Sequence, residues 1–100
     1  MKVICIVKVP KLDAVISALA AFPVEGVVTE EVRGYGRQKG HLELYQGSEY
    51  RVSFLPKARV EFHAPEETAR KAALAVAEAA RTGRIGDGKI FLLDEVEETA

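Results

Sequence analysis

Three short segments hold the residues with chemistry to offer. In Gly34-Tyr35-Gly36-Arg37-Gln38-Lys39-Gly40-His41, glycines let backbone amides come close to a ligand, while Arg37, Gln38 and Lys39 supply charge and an amide. Read alone, this fits a flexible basic loop equally well. In Gly86-Asp87-Gly88-Lys89, a glycine-rich turn can aim successive N–H groups at an anion, with a lysine beside them. A plain turn before a strand has the same spacing. In Tyr45-Gln46-Gly47-Ser48-Glu49-Tyr50, tyrosine hydroxyls flank a glycine at what reads as an exposed tip.

No catalytic constellation accompanies them. His41 and His63 have no cysteine or further histidine at zinc-ligand spacing, and neither Ser17, Ser48 nor Ser53 sits in a G-x-S-x-G elbow. An acylphosphatase-like enzyme would need an arginine-bearing glycine loop after the first strand, and Pro10-Lys11-Leu12 stands there instead. The expectation is a binding protein and not an enzyme.

The elements that must position these segments follow from hydrophobic periodicity. Residues 2–9, KVICIVKV, form a β-branched apolar run that reads as a strand buried on both faces. Pro10 suits a helix start, and Leu12, Val15, Ile16, Leu19 and Ala20 give residues 11–22 an amphipathic helix ended by Pro23. Gly26 opens a second strand that closes at Gly34. Between Gly34 and Ser53 no period holds, and a loop of that length in a compact domain is usually functional. Lys57, Arg59, Glu61 and His63 then alternate with Ala58, Val60 and Phe62, the pattern of a half-buried strand. Pro65, Glu66 and Glu67 start a second helix, with Ala69, Ala72, Ala73, Val76, Ala77 and Ala80 inward and Gly83 as a left-handed cap. KIFLL, residues 89–93, is a last apolar strand.

The order β, α, β, long loop, β, α, β is the α+β, ferredoxin-like βαββαβ arrangement, a four-stranded antiparallel sheet with two helices on one face. At 100 residues the chain reads as one domain. Its 48% hydrophobic and 29% charged composition is ordinary for a globular protein, and no apolar run suffices for direct membrane insertion. With no signal segment, a cytoplasmic location is expected. Cys5, within an apolar run, reads as a small core hydrophobe. A net charge of −1 argues against a nucleic-acid partner, and the central strands lack the aromatic platform of an RNA-binding sheet. Charge is nevertheless uneven: residues 33–59 carry six basic and two acidic side chains, whereas Asp94, Glu95, Glu97 and Glu98 are followed by no basic residue. That asymmetry suggests an anionic ligand near the middle.

Taken together, GYGRQKGHLELYQGSEY, FLPKARVEF and ARTGRIGDGKIF resemble the PII signalling family, and the resemblance runs from KVPKLD to about Asp94. It implies a single PII-like domain over residues 1–100, with the regulatory T-loop at about 36–53 and a second nucleotide loop at about 82–89. It also implies a homotrimer, with the open sheet faces turned inward and adenine nucleotide (ADP, AMP or ATP) bound in the clefts between subunits. Gly86, Asp87, Gly88 and Lys89 would hold phosphates, while Gly34, Tyr35, Gly36, Arg37 and Gln38 border the cleft from the loop side. Mg²⁺ with 2-oxoglutarate would join at the loop base, Gln38 offering an oxygen to the metal and Lys57 pairing with a keto-acid carboxylate. Tyr50 matches a tyrosine that some relatives modify, and Val28 stands where relatives often have a threonine facing the adenine. The implied function is control of a target transporter or metabolic enzyme through the T-loop; the alternative is a PII-like regulator of inorganic carbon uptake responding to ADP or AMP with bicarbonate. Where the family has a basic segment that clamps phosphates, this chain has LLDEVEETA. The expectation is that ADP or AMP binds at least as tightly as ATP, with Glu95, Glu97 or Glu98 repelling a terminal phosphate.

Overall fold

The structure, a computed structural model, describes residues 1–36, 53–84 and 87–95. The chain runs β1 (Lys2–Lys8), a 3-10 turn (Val9–Lys11), α1 (Leu12–Leu19), β2 (Glu25–Gly36), β3 (Ser53–His63), α2 (Glu66–Ala80) and β4 (Lys89–Leu93). The strands form one sheet in the order β2-β3-β1-β4, every neighbouring pair antiparallel. This is the expected ferredoxin-like arrangement.

Alternation places the core. Val3, Cys5 and Val7 of β1 and Ala58, Val60 and Phe62 of β3 point to one face, where they meet Val15 and Leu19 of α1 and Ala69, Ala72, Ala73 and Val76 of α2. Alanines at the α2 contact let the helix backbone lie close to the sheet. Burial pushes the Cys5 thiol up to about 12, so it stays neutral and behaves as core filler. Among the described residues, no element covers the other face. Lys2, Ile4, Ile6 and Lys8 are half-buried there, so β1 is sealed on one side and not on both as its apolar run suggests. Val28, Phe91 and Leu93 are exposed on the same face.

Several boundaries differ from the periodicity. The first helix is shorter than residues 11–22, because Pro10 tightens its start into a 3-10 turn and Pro23 disfavours helical backbone at Phe22. Ile16 and Ala20 consequently lie on its exposed side. β2 continues past Gly34 and β3 begins before Lys57, with Gly34↔Leu55, Tyr35↔Phe54 and Gly36↔Ser53 in register. Pro56 falls where β1 has ended, so β3 has an unpaired side there that can take a residue without an N–H. α2 stops at Ala80 as Arg81 turns extended, which leaves Gly83, at φ +82°, in the following turn and not as the helix cap. Gly26 lies in the left-handed region at φ +62°, at a bulge where the β2–β3 register shifts between Glu25 and Val28.

Candidate functional site

The second glycine segment lies at the end of the sheet where β1 finishes and β4 begins. Gly88 approaches β1 so closely that a Cβ would stand 2.9 Å from the Ile6 carbonyl oxygen, backbone that cannot swing aside. A side-chain-free residue is what lets β4 enter beside β1, with Lys89 opposite Ile6. The Lys89 ammonium sits 5.4 Å from the centre of the Phe91 ring, two residues along the same strand face.

Asp87 is the buried charged side chain among the described residues. The Thr82 hydroxyl donates to its Oδ2 at 2.6 Å, and the Lys8 ammonium lies 3.6 Å from its Oδ1. Its main-chain carbonyl accepts from Lys57 Nζ at 3.4 Å. The Thr82 hydrogen bond foremost, with Lys8 and Arg84 adding positive charge, holds this carboxyl below the usual carboxylate range against the opposing effect of burial. Beside it opens a cleft of about 520 Å³, walled by Ile6, Val7 and Ile90 and rimmed by Arg81, Arg84 and Lys89. Apolar walls with a cationic, glycine-bearing rim suit a flat apolar group carrying a negative one.

Of the residues singled out from the sequence, Lys57, Asp87, Gly88 and Lys89 gather here. Gly34, Tyr35 and Gly36 form the end of β2, on the side of Lys57 away from the bulge. Val28 stands apart: it pairs with Glu61, whereas Lys57 pairs with Val32, so about 13 Å of strand separates them within the chain. Arg37, Gln38, Tyr50 and Gly86 lie outside the described residues. Thr82 and Lys8 were not singled out. Thr82 stands inside the ARTGRIGDGKIF motif, and its side chain signals a hydrogen-bonding partner; Lys8 gives no such signal, because only the fold brings the end of β1 to Asp87.

A second cluster occupies the opposite end of the sheet. His63 Nδ1 is 2.9 Å from Glu95 Oε1 and its Nε2 is 3.6 Å from Glu61 Oε2. The Met1 ammonium donates to the Ala64 carbonyl at 2.8 Å and lies 3.4 Å from Glu95. The His63 hydrogen bond above all holds the Glu95 carboxyl below its ordinary range. Lys2 and Leu93 mark this end of the ladder and Lys8 the other, so Glu95 lies about 20 Å from the Asp87 turn of its own chain. Repulsion of a phosphate in that turn by Glu95 of the same chain is therefore ruled out by distance; Glu97 and Glu98 lie outside the described residues. Among the described residues no group of histidine, cysteine, aspartate and glutamate is placed to hold a metal.

Comparison with known proteins decides the family. The signature of "Nitrogen regulatory protein P-II" matches residues 1–99. The chain belongs to the P-II family. It is 52% identical to the nitrogen regulatory protein P-II of Rhizobium etli over 90% of this chain and 80% of that protein. It is 50% identical to the P-II protein of Rhizobium meliloti, over 97% of this chain and 86% of the relative. With nitrogen regulatory protein P-II 1 of Escherichia coli K12 it shares 47% identity over 93% of this chain and 83% of the relative. P-II proteins are regulators and not enzymes, and the same holds for this chain.

Proposed function

We propose that this chain is a P-II-type signal-transduction regulator that binds an adenine nucleotide in clefts between subunits of a homotrimer, with its phosphates at the Asp87-Gly88-Lys89 turn. The observation that carries the reading is an apolar-walled cleft lined by Arg81, Arg84, Gly88 and Lys89, with Lys8 and Lys57 meeting Asp87 beside it. Family membership supports it, since P-II proteins generally bind adenine nucleotides. The apolar residues left exposed on the helix-free face, Val28, Phe91 and Leu93, support assembly through that face. The segment between β2 and β3 is the T-loop, through which a transporter or metabolic enzyme is controlled. Among the described residues no helix is long and apolar enough to cross a membrane.

Calorimetric titration with AMP, ADP and ATP, each with and without Mg²⁺ and 2-oxoglutarate, tests the ligand. Lys89→Ala removes one charge-assisted contact and is expected to weaken ADP by about ten- to a hundredfold. Unchanged ADP affinity in that variant would remove the phosphates from this turn. The same titrations compare ADP with ATP and so test the expectation from the sequence that ADP binds at least as tightly. A bicarbonate arm of the same titration tests the carbon-uptake alternative.

A further inference from the structure

A buried carboxylate is an unexpected centre for an anion site, and its bonding indicates what it does there. Oδ2 of Asp87 accepts from Thr82 and Oδ1 faces Lys8, so both oxygens are engaged within the protein. Thr82 is more than a donor. Its hydroxyl oxygen also accepts from the Arg84 amide at 3.2 Å, and the Asp87 amide closes on the Arg84 carbonyl at 3.4 Å. One side chain thus ties the departing end of α2 to the residue before Gly88, and Arg84 is held between them. A carboxylate turned toward a phosphate would repel it; turned inward onto a hydroxyl and a lysine, it fixes the backbone that carries the amides and the cation.

We infer that Thr82 and Asp87 form a brace that presets Arg84 and the Asp87-Gly88-Lys89 segment for an anionic ligand, acting as positioning residues and not as ligand contacts. The inference rests on the reading of this cleft as a nucleotide phosphate site. A turn already ordered before binding loses less conformational freedom on binding, so the brace contributes to affinity without touching the ligand. Threonine meets the requirement because one hydroxyl both donates and accepts. Valine keeps its shape and does neither.

The test pairs ADP calorimetry with amide hydrogen exchange on Thr82→Val, Thr82→Ala and Thr82→Ser. Thr82 lies on the exposed side of the turn, so these variants are expected to fold, and a thermal melt checks it. In the parent the Arg84 and Asp87 amides exchange slowly. In the Val and Ala variants they exchange faster and ADP binds about tenfold more weakly, the loss of two hydrogen bonds; Ser restores both. Unchanged exchange in Val and Ala overturns the brace, and faster exchange with unchanged ADP affinity overturns its role in binding. If the parent binds no adenine nucleotide, the phosphate reading fails and the exchange comparison still decides whether the brace exists.

Discussion

At the scale of single residues, the chain uses carboxylates as anchors for its cations. Glu61 accepts from Arg59 at 2.7 Å and faces Lys2 at 3.6 Å, while Arg59 reaches across to Glu30 at 3.2 Å. The Arg59 hydrogen bond chiefly holds the Glu61 carboxyl below its ordinary value, as Thr82 does for Asp87 and His63 for Glu95. A carboxyl whose folded value is depressed stabilises the fold above the unfolded value and loses that contribution as pH falls through the folded one. Urea midpoints should therefore fall once the pH passes below about 4. Glu61→Gln should have a lower midpoint at neutral pH and a shallower acid limb, and a limb identical to the parent's would remove Glu61 from this account. What the sequence hid at this scale was pairing. Asp87 and Lys89 were legible as a motif, but that Asp87 turns inward to Thr82 and Lys8 depends on burial, which spacing does not report.

At the scale of elements, β4 docks where a glycine permits it. Gly88→Ala would place a Cβ 2.9 Å from the Ile6 carbonyl oxygen, and because that atom is backbone, the strand entry must shift. Overpacking of this kind costs about 1–3 kcal/mol, so a clear fall in the urea midpoint is expected, together with weaker ADP binding. A variant as stable as the parent would mean that β4 enters otherwise. Elements with strong periods were readable: β1, α2 and β4 stand where their apolar residues put them. The β2–β3 ribbon beyond Gly34 was not, since Gly34, Gly36 and Pro56 have poor strand propensity and the ladder there is held by backbone pairing across the ribbon. The α2 end was misplaced for a related reason. Gly83 has the left-handed backbone expected of a cap, but Arg81 leaves the helix first, and the cap residue's preference says nothing about where the preceding turn breaks.

At the scale of the whole molecule, the described residues seal the sheet on one side only. Two helices cover Val3, Cys5, Val7, Val60 and Phe62, whereas Ile4, Ile6, Phe91, Leu93 and Val28 share the other face with the Glu30–Arg59–Glu61–Lys2 ion pairs. A second chain laid on that face would bury its apolar residues, and three chains closing on one another would leave no copy unpaired. In the proposed assembly, Val28 of one subunit would face the Asp87 turn of a neighbour. Within one chain they lie at different places along the sheet. The central claim is thus an assembly with one nucleotide per cleft, and native mass spectrometry with ADP tests it most directly. The account predicts a trimer that takes up one, two and then three ADP molecules as the nucleotide is raised, with Lys89→Ala remaining trimeric but largely empty at the same concentration. A monomer at micromolar concentration, or a trimer that stays free of ADP and ATP, would contradict it.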